Sequence, residues 1–138
     1  MCIASDHAGF NIKEFIKNNL IKHKISVIDL GPTSKQKVDY PDYAKKVGFR
    51  IKNNKSNIGI LVCGSGTGMA ISANKVKKIR AAVCYNQSST RLSRLHNNAN
   101  IIALGARLTK KNEIMKLVSI FLSTKFEGGR HLKRVKKI

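Results

Sequence analysis

Residues 63–68 read Cys-Gly-Ser-Gly-Thr-Gly, a thiol set directly before glycines at positions 64, 66 and 68. Glycine admits positive φ and lets an anion approach the backbone amides closely. If a helix starts here, its unpaired N–H groups and its dipole favour negative charge. A thiolate at the end of the preceding strand gains from the same potential. One short loop can therefore hold a base or nucleophile beside an anion hole. The same residues also suit a structural turn behind a buried, inert cysteine, and alone they do not choose between the two. They do exclude two nucleotide chemistries. The spacing is not that of a GxxxxGK loop followed by Ser or Thr, and Met69 stands where a dinucleotide fingerprint needs its third glycine.

The remaining reactive residues are few. The acids are Asp6, Glu14, Asp29, Asp39, Asp42, Glu113 and Glu127. Only Asp6 follows a strand beside another polar group, His7, so a paired-carboxylate mechanism has little support. Of the histidines, His7 and His96 are better placed than His23, which lies in a lysine-rich helix end; His131 follows Arg130 and reads as an anion helper or a surface residue. Arg107 follows a strand. Arg130 and Arg134 are four apart on one helix face, a pair suited to bidentate capture of phosphate, although the residues alone favour a solvated basic tail. No HExxH, Cys/His cluster or acidic cluster occurs, so no metal site is expected. No GxSxG elbow occurs.

These groups must be positioned by a regular alternation. Residues 2–5 form a short strand, and Ala8, Ile12, Phe15, Ile16 and Leu20 recur at helical spacing over 9–22. Residues 25–30 read as a second strand, ended by Gly31-Pro32. Pro41 suits the first turn of a helix lined by Ala44, Val47, Gly48 and Ile51. Residues 58–63 form a buried strand, and 69–76 a helix with Met69, Ala73 and Val76 on one face. Strand 79–84, helix 87–96 and strand 101–104 follow. Ile114, Leu117, Val118, Phe121 and Leu122 mark a further helix, and the basic tail 130–138 is helical after the Gly128-Gly129 break. Strand and helix alternate with short joins, which predicts a five-stranded parallel sheet covered on both faces, an α/β fold. Ligands bind such sheets beyond the carboxyl ends of the strands, where Asp6-His7, Cys63 to Gly68 and Arg107 fall.

Composition sets the outer limits. A chain of 138 residues with 42% hydrophobic content suits one domain, 1–138, with one core. No apolar run approaches bilayer length, and the chain turns polar at Ser5-Asp6-His7, unlike a secretory signal. Cys2, Cys63 and Cys84 are an odd count without a CxxC, as expected for reduced thiols in a cytoplasmic protein. The formal net charge of +20 invites a nucleic-acid reading. Twenty of the 27 basic residues are lysines spread along the whole chain, and no aromatic stacking set accompanies them. Weak polyanion binding at low salt is expected, and specific nucleic-acid binding is not.

Seven segments in order carry a family resemblance: 5–9 (SDHAG), 39–44 (DYPDYA), 59–68 (GILVCGSGTG), 73–75 (ANK), 94–100 (RLHNNAN), 104–107 (LGAR) and 126–131 (FEGGRH). Together they resemble the B-type ribose-5-phosphate isomerases, relatives of the galactose-6-phosphate isomerase subunits, over nearly the whole chain. The resemblance implies a Rossmann-like three-layer α/β/α sandwich. It implies interconversion of D-ribose 5-phosphate and D-ribulose 5-phosphate in pentose phosphate metabolism, with no metal or organic cofactor. By resemblance, Cys63 is the base that moves the proton between C2 and C1. Some members use a loop glutamate instead, at the position of Met69 here. The amides of Gly64, Ser65, Gly66, Thr67 and Gly68 would hold the enediolate oxygen, with the Ser65 and Thr67 side chains nearby. His96 would open the furanose ring, Asp6 would bind sugar hydroxyls, Asn97 would steady the intermediate and Tyr43 would line the sugar pocket. Phosphate would go to His7, Arg107, Arg130 and Arg134. The family also implies a homodimer, or a dimer of dimers, with sites shared between subunits and the basic helix 128–138 contacting the partner. A six-carbon substrate, allose 6-phosphate or galactose 6-phosphate, is the alternative within the same family.

Overall fold

The computed structural model describes residues 1–138. Its elements alternate: β1 (Cys2–Ser5), α1 (Phe10–Lys22), β2 (Ile28–Asp29), α2 (Tyr40–Lys52), β3 (Gly59–Cys63), α3 (Thr67–Asn74), β4 (Ala81–Val83), α4 (Gln87–Leu95), β5 (Ile101–Gly105), α5 (Lys111–Ser123) and α6 (Gly129–Val135). The strands form one sheet in the order β2-β1-β3-β5-β4, with every pairing parallel. The central strand β3 is a continuous apolar run because both of its faces are covered. Ile60, Leu61 and Val62 are all fully buried.

Side chains alternate across the sheet, and this sorts the core into two halves. Cys2, Ala4, Leu61, Cys63, Ile101 and Ala103 face α2 and α3, meeting Ala44, Val47, Met69 and Ala73. Ile3, Ile60, Val62, Ile102 and Leu104 face the other way, onto Ile16 and Leu20 of α1 and Ile114, Leu117, Val118 and Phe121 of α5. Each such side chain contributes about 1.5–3 kcal/mol by leaving water. The result is the expected three-layer α/β/α sandwich. The chain reverses its direction of winding between β1 and β3, so the loops after these two strands leave toward opposite faces and open a crevice.

The boundaries of four elements differ most from the expectation, and the first is the basic tail, whose helix starts at Gly129, inside the expected break, and stops at Val135 instead of running to Ile138. The second strand is only Ile28–Asp29, because it is an edge that pairs with β1 alone, while Ile25 is used to close α1 through its N–H to Leu20 O. The fourth strand starts at Ala81, since Ile79 is drawn into the core by a turn onto Val76. Helix α3 begins at Thr67, two residues early, because Gly66 in the left-handed region (φ +83°) sets its start.

One buried group was not foreseen. Lys13, on the sheet-facing side of α1, is fully buried. Its ammonium donates to both carboxylate oxygens of Asp29, at 2.9 and 2.7 Å, and to Pro32 O at 2.8 Å. Glu14 and Lys17 complete the ion network. Burial pushes the Asp29 carboxyl up, but hydrogen bonds from Lys13, Lys17 and the Gly31 amide outweigh it and hold the group below its ordinary value.

Candidate active site

The end of β3 is locked by its neighbours. Cys63 O accepts from Ala106 N at 2.8 Å, and Gly64 O accepts from Arg107 N at 3.0 Å. The chain then turns sharply, and Gly66 makes the turn possible. A Cβ on Gly66 would lie 3.0 Å from the Leu104 carbonyl carbon and 3.2 Å from Gly105 N, both of them strand backbone. The turn brings the Gly66 N–H onto Cys63 Sγ at 3.1 Å. The thiol is therefore only 4% exposed yet points along the glycine loop rather than away from it. Thr67 N donates to Ser65 Oγ at 3.3 Å. The first-turn amides of α3 have no carbonyl one turn earlier to bind, and they collect positive potential beside the sulfur.

Several expected residues gather at this edge. Asp6 is nearly buried, accepts the Gly9 N–H on Oδ1 at 2.8 Å, and is tied to β3 through its own N–H to Val62 O. His7 Nδ1 accepts weakly from Val38 N at 3.5 Å. The Arg107 guanidinium lies over Gly64, with Nη1 3.3 Å from where a Cβ would be. Two aromatics that the sequence reading did not single out also meet the loop. The Tyr40 ring comes within 2.8 Å of the Cβ position of Gly68, and Tyr85 OH is 3.3 Å from Thr67 Oγ1. Tyr43, one turn after Tyr40 on α2, instead packs beside Gly31, with Lys46 Nζ 4.4 Å from its ring centre.

His96, Asn97, Arg130 and Arg134 lie elsewhere in the chain. Helix α4 runs antiparallel to the strands, and His96 is its C-cap. Asn97 and Asn98 accept from Arg80 Nε at 3.1 and 3.0 Å, and Asn100 O accepts from the N–H of Gly59, the first residue of β3. Cys63 is the last residue of that strand. At about 3.3 Å per residue the two edges are roughly 13 Å apart. The glycine loop and His96 thus occupy opposite edges of one sheet.

The His96 edge has its own order. The His96 and His131 rings stack with centroids 4.2 Å apart and an interplanar angle of 6°. Glu127 Oε2 lies 3.8 Å from His96 Nε2 and 4.0 Å from His131 Nε2. The Glu127 backbone is pinned by its N–H to Leu95 O. Arg130 Nε approaches His131 Nε2 at 3.4 Å. Desolvation holds the His131 imidazole below its ordinary value, and His96, Arg130 and Arg134 add to this against the pull of Glu127. Arg94 braces the same corner, donating to the carbonyls of Thr124 and Ala99. Nothing in the residue type or spacing of Glu127 marks it for chemistry. The only signal was its place in FEGGRH, three residues from Arg130.

A family model described as Ribose/Galactose Isomerase matches residues 1–138. Ribose-5-phosphate isomerase B of Escherichia coli (strain K12) is 41% identical over 133 residues, covering 96% of this chain and 89% of that protein. The crystal structure of a ribose 5-phosphate isomerase from Thermotoga maritima superposes with a TM-score of 0.97 at 51% identity, covering 99% of this chain and 94% of that one. The Mycoplasma genitalium ribose-5-phosphate isomerase B, solved with bound ribulose-5-phosphate, superposes with a TM-score of 0.93 at 41% identity over 99% and 91% of the two chains.

Proposed function

The chain belongs to the ribose/galactose isomerase family, and from that premise we propose that it interconverts D-ribose 5-phosphate and D-ribulose 5-phosphate, an aldose–ketose isomerisation of pentose phosphate metabolism. The C2–H of the open aldose is weakly acidic, and it ionises only if the charge passed to the carbonyl oxygen is held. Cys63, as thiolate, takes the C2 proton and returns it to C1, while the hydroxyl proton passes from O2 to O1. The cis-enediolate oxygen lies against the first-turn amides of α3, beside the Ser65 and Thr67 hydroxyls. Each donor of this kind typically contributes about 3 kcal/mol in the transition state. The observation that carries this reading is the Gly66 N–H at 3.1 Å from Cys63 Sγ. It turns the sulfur toward the loop and gives a thiolate one charge-assisted donor.

His96 opens the furanose ring, Asp6 binds sugar hydroxyls, Asn97 steadies the intermediate and Tyr43 borders the sugar. His7, Arg107, Arg130 and Arg134 bind the phosphate, whose remote binding energy holds the sugar for the proton transfer. These groups lie at two edges of one sheet, so the complete site forms between two copies of the chain. The glycine-loop edge of one copy meets the His96 edge of the other, and α6 with the basic tail reaches the second copy's phosphate. Two-fold symmetry then gives two equal sites. The whole chain acts as one domain. Its three free thiols suit a reducing compartment, the cytoplasm.

The test is isomerase activity on ribose 5-phosphate, allose 6-phosphate and galactose 6-phosphate, side by side and with a chelator present. Turnover should be fastest on ribose 5-phosphate and unchanged by the chelator. Faster turnover of a six-carbon phosphate would overturn the substrate while leaving the reaction class standing. No turnover of any of the three would overturn both.

A further inference from the structure

His96, Glu127 and His131 come from the end of α4, the loop after α5 and the first turn of α6, yet one ligand atom from each lies within 4.8 Å of the other two. Two imidazoles and one carboxylate make a donor set that takes divalent transition metals, zinc above all, and refuses magnesium, which asks for an all-oxygen shell. Ligands about 2.0–2.1 Å from a tetrahedral zinc stand roughly 3.4 Å apart. The Glu127–His96 and Glu127–His131 separations are 3.8 and 4.0 Å, and the set closes when the two stacked rings splay so that their in-plane lone pairs converge on one ion. Glu127 is 55% exposed and free to follow them. The Arg130 Nε near His131 belongs to an exposed side chain that can turn into solvent.

We propose that His96, Glu127 and His131 form a zinc-binding site whose occupation inhibits the enzyme by withdrawing the His96 imidazole from ring opening. The binding stands on the geometry alone; the inhibition rests on the role given to His96 in the proposed isomerisation. The metal is an inhibitor here and takes no part in the reaction. The carboxylate offsets part of the zinc charge in a chain that is otherwise strongly basic, which is why Glu127, one of seven acids against 27 basic residues, is the ligand whose loss matters most.

The experiment titrates zinc against the full-length protein by competition with a chromophoric chelator and follows isomerase turnover in parallel. One zinc per chain is expected, with turnover falling as the site fills and returning on addition of EDTA. Magnesium should neither compete nor inhibit. Glu127→Gln and His131→Gln should each lose at least the roughly 10–100-fold in affinity that even an outer-shell partner is worth, and each should resist inhibition relative to its own zinc-free turnover. Cys63→Ala should keep the parent's zinc affinity. Parent-like affinity in Glu127→Gln and His131→Gln, or its loss in Cys63→Ala, would overturn the site and leave the isomerisation untouched. Zinc bound through the three residues with turnover unchanged would overturn the inhibition and the role of His96 with it.

Discussion

Gly66→Ala strikes the loop where backbone conformation and chemistry meet. Gly66 has φ +83°, a region that costs an L-residue about 1–2 kcal/mol. The new methyl would also sit 3.0–3.2 Å from the backbone of Leu104 and Gly105. Both belong to β5, a central strand, so the loop must move instead, at a further cost of about 1–3 kcal/mol. The total, about 2–5 kcal/mol, is less than most domains possess but a large share of it. The relieving movement carries the Gly66 N–H away from Cys63 Sγ. The same movement displaces the loop amides proposed to hold the enediolate, and loss of one oxyanion donor typically lowers turnover by about 10²–10³-fold. Urea unfolding followed by circular dichroism reads the stability, and turnover below the transition reads the chemistry. Gly68→Ala is the control for crowding. Its methyl would meet the Tyr40 ring, a half-exposed side chain able to turn aside, so its unfolding midpoint should fall less. A Gly66→Ala protein with the parent's midpoint, and turnover within about a factor of two of the parent, would refute the argument.

Mixing Cys63→Ala and His96→Asn subunits should restore activity that neither has alone. Random exchange makes half of the dimers mixed, each with one intact site of two, so about a quarter of the parent activity should return; no recovery after verified subunit exchange would rule out a site shared between copies. Asp29→Ala leaves the buried Lys13 ammonium with only Glu14 and Pro32 O as partners and should cost about 1–3 kcal/mol in urea unfolding. In the parent, the Asp29 contribution is fully present above the unfolded carboxyl value of about 3.9 and is lost as pH falls through the lower folded value. Stability measured from pH 6 downward should therefore drop more steeply in the parent than in Asp29→Ala, and parallel curves would contradict the assignment.

Most of the fold is legible because its signals are local. The apolar runs at β1, β3 and β5 and the helical spacing over α1 and α5 need no knowledge of distant contacts. The edge strands were overdrawn for the opposite reason. Ile25 and Ile79 are as apolar as any strand residue, and only the tertiary structure shows them closing a helix and a turn. The glycine loop could be read as a cradle from its residue types, but its choice between cradle and inert turn depended on the direction of the Cys63 side chain. Lys13 was hidden because a lysine on a helix reads as solvated until a half-buried carboxylate, Asp29, is found beside it. The gathering of His96, Glu127 and His131 could not be read from spacing, since His96 stands 31 and 35 positions before the other two. The separation of the glycine loop from His96 follows from topology: a loop after a strand and a loop after its return helix must lie at opposite ends.

Cys63→Ala tests the central claim most directly, with turnover and ribose 5-phosphate binding measured on the same folded protein. Without a base the proton transfer should slow by at least about a thousandfold, roughly 4 kcal/mol in the barrier, while ribose 5-phosphate still protects the protein against thermal unfolding. Turnover near that of the parent would mean that another group takes the C2 proton and that the thiol beside the glycine amides is only packing.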